Sequence, residues 1–243
     1  MKAPRFALFV LSLALLSLGA PAQQPAKAPA KTQEQSVKPG INETWKSENI
    51  APLVDTLEAE SREIYTERVN LAAIVGPKPG TVVADIGAGS GFMAEEFARR
   101  VGPQGRVYAV DINPRLLDFV SQRAKQHSLA NLLPVLTPED SVALPANSVD
   151  MVFICDTYHH FEYPRGTMTA IHRALRPGGQ LVIVDFVRIP GQSPQWVMEH
   201  VRAGMDEVVK EITSFGFELT NVHNPPFLES NYVIRFRRVD RPN

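Results

Sequence analysis

Only one cysteine, Cys155, occurs in the 243 residues. No disulfide can close within such a chain, and an apolar run around the residue makes a small buried side chain its ordinary reading. A surplus of charge is missing too, since 25 Lys and Arg stand against 26 Asp and Glu for a net charge of -1. No overall basic field exists to gather nucleic acid or acidic lipid. A membrane-spanning helix needs about 20 apolar residues. The longest run, Phe6 to Leu18, has 13 and is interrupted by Ser12 and Ser17. No internal repeat is visible.

That short run has a specific setting. Lys2 and Arg5 precede it, and Ala20-Pro21-Ala22 follows. A positive start, a short apolar stretch and small residues at the A-x-A spacing predict a signal peptide over 1–22, cut after Ala22. The protein is then expected in the periplasm or outside the cell, with an uncleaved amino-terminal anchor as the alternative. Lipoprotein attachment is excluded because no cysteine follows the run. Residues 23–40, rich in Ala, Pro, Lys and Gln, read as a disordered linker. A single folded domain is expected over 41–243, with a helical lid at about 53–76.

Along that domain, strand and helix patterns alternate. Apolar segments at Thr81–Ile86, Arg106–Val110, Leu132–Leu136, Val149–Cys155 and Leu181–Phe186 read as strands. Phe92–Val101, Arg115–Gln126 and Arg165–Leu175 read as helices, with Pro114 opening the second. Arg176-Pro177-Gly178-Gly179 reads as a turn. Pro194–Phe215 reads as one long helix, and Phe217–Val222 and Tyr232–Arg238 as two closing strands. The expected fold is α/β: a doubly wound, seven-stranded, mostly parallel sheet with an antiparallel carboxy-terminal strand. Ligands in such sheets sit beyond the carboxyl ends of the strands.

"VADIGAGSGF", residues 83–92, lies at such an end. A dinucleotide turn, G-x-G-x-x-G/A, fits Gly87 and Gly89 but puts Phe92 where a small residue belongs. A P-loop requires a Lys after the last glycine, and none follows Gly91. A tight turn with no ligand stays open. The remaining reading rests on a resemblance: "VVADIGAGSGFMAEEFA" is similar to the first motif of the class I S-adenosylmethionine-dependent methyltransferases. "VYAVDIN", "EDSVALP", "VDMVFICDTYHHF" and "IHRALRPGGQLVIVDF" resemble that family's later motifs, in order, over roughly 71–186.

The resemblance implies a Rossmann-like methyltransferase fold, S-adenosylmethionine as cofactor and a small-molecule methyl acceptor. It implies cofactor contacts at Asp85, Gly87, Gly89, Gly91, Asp111, Ile112, Asp140 and Ser141. The glycines would admit the methionine part, Asp111 the ribose hydroxyls, and Asp140-Ser141 the adenine. Asp85 would reach the amino group of the methionine part through water, with a second reading as a helix-capping carboxylate. The loop after the fourth strand would face the methyl donor, making Asp156, His159 and His160 the catalytic candidates, with His160 either catalytic or loop-fixing. Tyr65, Tyr158 and Trp196 are the acceptor-binding candidates; His200 and Arg202 are further lid residues. No metal site is expected, because adjacent histidines diverge on an extended chain and no ligand quartet has zinc spacing. Two other functions remain open: an exported cofactor-binding domain without catalysis, and a nicotinamide-dependent reductase.

Overall fold

The computed structural model describes residues 34–240. The predicted signal peptide and most of the predicted linker lie outside them.

Eight helices and seven strands follow one another among the described residues. They are α1 (Ala51–Leu57), α2 (Glu63–Thr66), α3 (Arg68–Val75), β1 (Val82–Ile86), α4 (Phe92–Val101), β2 (Arg106–Asp111), α5 (Pro114–Gln126), β3 (Leu132–Leu136), β4 (Val149–Cys155), α6 (Pro164–Ala174), β5 (Leu175–Phe186), α7 (Gln195–His200), α8 (Met205–Ser214), β6 (Phe217–His223) and β7 (Asn231–Arg238). One sheet contains every strand, in the order β3-β2-β1-β4-β5-β7-β6. β1 to β5 run parallel, and β7 is antiparallel to both neighbours. This is the predicted seven-stranded α/β fold.

Side-chain alternation along the strands explains why both faces are covered. Ala84, Ile86, Val152, Ile154, Leu181 and Ile183 enter one apolar cluster with Ile171 and Phe217. Val83, Met151, Phe153, Val182 and Val184 enter the other with Leu71 and Phe97. Period-two strands sandwiched by helices need apolar residues at every position. α5 starts where its sequence says it should: Asn113 caps the Arg115 and Leu116 amides, and Pro114 follows at the first helical position.

The chain order reverses beside β1, which lies between β2 and β4. The crevice expected at such a switch point is therefore bounded by the ends of β1, β2 and β4.

Four sequence expectations change. The long helix over 194–215 is two helices, α7 and α8, with Gly204 capping the second in an extended conformation. Glycine is a poor helix residue, and Val201 and Ala203 are buried in the gap. The lid helix is three short pieces, because Arg62 is extended (φ -92°, ψ 112°). Its guanidinium bonds the Leu57 carbonyl, which caps the end of α1 from the side. The segment Arg176–Gly179 is an irregular part of β5, which skips register between Val149 and Met151 of β4; Gly178 supplies the positive φ of 73° that this needs. Finally, residues 34–40 belong to the domain. Glu34 accepts the Arg165 and Gly166 amides, and Ser36 and the Gly40 amide bond Glu162.

Candidate active site

A cavity of about 620 Å³ opens at the switch point, within the about 300–1,000 Å³ usual for small-molecule sites. Gly87, Gly89, Asp111, Ile112 and Ser141 line one side. Asp156, His159, His160, Trp196 and His200 line another.

Gly87, Gly89 and Gly91 have φ of 71°, 55° and 79°, which only glycine adopts without strain. Space adds a second reason at each. A Cβ on Gly87 would stand 2.3 Å from Thr157 Cγ2, and one on Gly91 would stand 2.8 Å from Val120 Cγ2 of α5. These two glycines therefore admit neighbouring protein, and Gly91 does not line the cavity. Gly89 differs: its Cβ would enter the cavity side, 2.8 Å from the tip of Leu57.

The turn spends its amides internally. Gly87 and Ala88 donate to the Val110 carbonyl, Gly91 to Ala88, and Gly89 to Asp111 Oδ2 at 2.9 Å. A pyrophosphate cradle works by pointing such amides at the ligand. This turn is unsuited to that task, which argues against the nicotinamide reading and leaves a backbone surface against which a neutral or cationic group can lie.

Asp111 ends β2, 7% exposed. Its two oxygens accept the Gly89 and Asn113 amides at 2.9 Å each. Burial pushes its carboxyl up, and the Asn113, Gly89 and Ile112 amides pull it back. A carboxylate has about four acceptor sites, so capacity remains for two ribose hydroxyls. Ser141 lines the cavity with Pro138 and Glu139, whereas Asp140 is exposed and outside the wall. Of the expected adenine pair, Ser141 is on the cavity wall and Asp140 is not.

Asp85 is 3% exposed and lies behind the lining. The Ala94 amide in the first turn of α4 supports it, in keeping with the capping reading, while Oδ2 has no partner. Burial first, and the nearby Asp111 second, push its pKa up to about 8. With its pKa above neutral, it holds a proton at pH 7. A cationic amino group entering nearby would expel that proton, since an opposite charge favours the ionised form. We expect cofactor binding at pH 7 to release close to one proton. Calorimetric heats measured in buffers of different ionisation enthalpy would show it, and buffer-independent heats would remove Asp85 from the amino-group site.

The opposite side is built on Tyr158–His160, a single 3-10 turn. His159 is 3% exposed, and its Nδ1 meets Asp185 Oδ1 at 2.7 Å. The Asp185 carboxylate also receives the His159 and Phe186 amides. With Nδ1 engaged there, Nε2 is the ring atom left for the cavity. The His160 ring stands 4.4 Å from the His159 ring, and its Nε2 lies 3.3 Å from Nε2 of His200. Burial, then His159, His200 and Lys38, push the His160 pKa down to about 2. Burial also lowers that of His200. The predicted divergence of the two adjacent histidines does not occur, because the turn is helical rather than extended.

Asp156 is committed elsewhere. Arg62 Nη2 holds Oδ2 at 2.7 Å and Asn231 Nδ2 donates to Oδ1 at 2.6 Å. Its φ of 47° is unusual outside glycine. Burial raises its pKa and Arg62 opposes this. It ties the amino-terminal arm to the end of β4 rather than offering a free base.

Of the acceptor candidates, only Trp196 lines the cavity, half exposed and edge-on to Phe186. Tyr65 packs edge-on against Phe92 under the Arg68 guanidinium, outside the wall. Tyr158 is fully buried, donating at 2.6 Å to Glu211, which Arg202 grips with two bonds. Tyr158→Phe should therefore leave ligand affinity unchanged and lower stability by about 1–2 kcal/mol, the worth of a hydrogen bond to a half-exposed charge. Denaturant titration and calorimetry check both halves.

Arg62, Asn231, Asn42 and Trp45 also line the cavity, and Asp185 stands behind His159. Asn42 donates to the His160 carbonyl and to Glu139, and Trp45 lies edge-on to His160. Sequence reading did not single these out. Asp185 alone had a signal, an acidic residue at the end of an apolar strand.

Residues 84–183 match the family described as a methyltransferase domain. Among curated proteins, the ubiquinone/menaquinone biosynthesis C-methyltransferase of Hydrogenovibrio crunogenus is 31% identical over 115 residues, 47% of this chain and 45% of that protein. The chain thus spans less than half the length of the curated relatives it matches. Among solved structures, a SAM-dependent methyltransferase from Aquifex aeolicus aligns with a TM-score of 0.69 and 24% identity, over 77% of this chain and 98% of that one. The [4+2]-cyclase SpnF aligns with a TM-score of 0.65 and 14% identity, over 78% and 92%. The last two likenesses concern the fold.

Proposed function

We propose that the chain is a class I S-adenosylmethionine-dependent methyltransferase, a reading supported by the family match over residues 84–183 and by the curated relatives, and that it methylates a small molecule held between the glycine turn and the His159–Asp185 pair. The observation that carries the reading is one cavity joining both sides. Asp111, fastened to the glycine turn, stands on one, and an oriented histidine stands on the other.

When bound, the cofactor supplies a methyl group already activated by its sulfonium, so no acid is needed for the leaving group. Asp111 would hold the ribose, Ile112 and Ser141 would flank the base, and Asp85, behind the lining, would reach the amino group through water. What remains for the protein is alignment and removal of the acceptor's proton. His159 Nε2 takes that proton, and Asp185 fixes the tautomer and steadies the charged ring. Trp45, Phe161, Phe186 and Trp196 shape the acceptor side and suit a flat apolar body carrying one acidic hydroxyl or thiol. Phenols are the first acceptors to test, with products examined for methyl on oxygen and, because the curated relatives are named C-methyltransferases of ubiquinone/menaquinone biosynthesis, on carbon.

The test uses cofactor labelled in the transferred methyl. Thermal shift comes first: S-adenosylmethionine, and not NAD, should stabilise by about 2.7 kcal/mol at a hundredfold excess over its Kd. Label should then move to a small molecule of a cell extract. Firm cofactor binding without transfer would favour a non-catalytic binding domain.

Export belongs to the same reading. Lys2, Arg5, the apolar run and Ala20-Pro21-Ala22 support a mature chain beginning at Gln23. Amino-terminal sequencing of natively produced protein decides it, and an intact Met1 on a cytosolic species would refute it.

A further inference from the structure

Three of the six histidines of the chain converge in this cavity. His159 and His160 come from the turn after β4, and His200 ends α7, 40 residues later. One ring nitrogen from each lies within 4.8 Å of the other two. We propose that His159, His160 and His200 bind a divalent transition-metal ion of the zinc class, with one coordination position open to the cavity.

The spacing fits the ion. Nitrogens bound tetrahedrally to zinc at about 2.0–2.1 Å stand about 3.3 Å apart. Nε2 of His160 and Nε2 of His200 are 3.3 Å apart already. The His159 ring, centred 4.4 and 5.1 Å from those of His160 and His200, needs a small closing motion. Orientation fits as well. A metal-bound histidine ordinarily gives its other ring nitrogen to a carboxylate, and Asp185 already holds Nδ1 of His159. His160 Nδ1 is buried with no well-formed partner, while its Nε2 meets His200 and its ring lies against Trp45.

Charge is the counterargument, and it is answered locally. Lys38 lies close to His160 and His200, but its ammonium is held by the Glu199 and His200 carbonyls. Asp185 brings a buried negative charge against His159. Three neutral imidazoles with an open fourth position are the ligand set of catalytic rather than structural zinc. All three histidines line the cavity, so the open position would accept water or an oxygen or sulfur of a cavity-bound molecule. His159 Nε2 cannot be ligand and proton acceptor together. With the ion present, an O–H or S–H would break on coordination and its proton would go to solvent.

The test needs neither cofactor nor activity. The full chain is freed of metal with a chelator and titrated with Co²⁺, whose visible absorption reports a nitrogen-rich, low-coordinate site. The expected result is a band saturating at one equivalent and erased by one equivalent of Zn²⁺. Loss of the carboxylate that holds His159 Nδ1 in Asp185→Asn should weaken binding about 10–100-fold, and loss of a ligand in His200→Ala by more. His172→Ala and His223→Ala, outside the cluster, should bind as the wild type does. Circular dichroism confirms that His200→Ala is folded. Absence of the band in the wild type, or its persistence in folded His200→Ala, overturns the proposal.

Discussion

Turnover should fall about 10²–10⁴-fold in His159→Ala, the usual range for removing a general base, while cofactor affinity stays nearly constant. The basis is position. The ring is buried, fixed through Nδ1 by Asp185, and lines the cavity opposite Asp111. Asp185→Asn should lose part of the same factor, because an amide can stabilise the wrong tautomer and cannot balance the charged ring. Single-turnover transfer, run beside cofactor titration, separates the cases. Cofactor affinity and melting temperature falling together would mean that His159 only shapes its turn. Undiminished transfer would place proton removal elsewhere, or mean that the acceptor arrives ionised. His200→Ala distinguishes base from ligand: it leaves the His159–Asp185 pair intact and removes one proposed metal contact.

Asp111→Ala should weaken S-adenosylmethionine and S-adenosylhomocysteine alike, since both carry the same ribose. Loss of a charged acceptor for two hydroxyls corresponds to about 1.5–3 kcal/mol, or about 10–150-fold in Kd. The protein itself should also suffer, because the Gly89 and Asn113 amides lose their acceptor in a buried place. An unsatisfied buried amide costs about 1–3 kcal/mol. Asp111→Asn retains an acceptor oxygen and should recover much of the stability but less of the affinity. Calorimetric titration of both ligands, with melting curves of both variants, measures the two effects separately. Equal wild-type affinity in Asp111→Ala would exclude Asp111 from the site.

Local order made one side of the site readable in advance. Gly87 to Gly91 and Asp111 belong to neighbouring strand ends, and short-range pattern fixes both. The other side depends on distant partners. Arg62 finds Asp156 across 94 residues and His160 finds His200 across 40, and no periodicity encodes such meetings. Tyr158 misled because its neighbours face the cavity while its own ring turns into the core toward Glu211. Arg176–Gly179 has every mark of a turn, yet pairing with β4 on both sides absorbs it into a strand. The split of the 194–215 helix follows from Gly204, a residue whose low propensity was outweighed in the sequence by the apolar period around it.

The internally bonded glycine turn has a consequence for the entropy of association. With the Gly87, Ala88, Gly89 and Gly91 amides already donated, the loop holds its final shape before any ligand arrives. Ordering one flexible side chain on binding costs about 0.5–1.5 kcal/mol, and this loop brings no such debt. The immobilisation cost then falls on the rotatable bonds of the ligand, so a cofactor analogue stiffened between ribose and sulfur gains affinity that a softer protein would have cancelled.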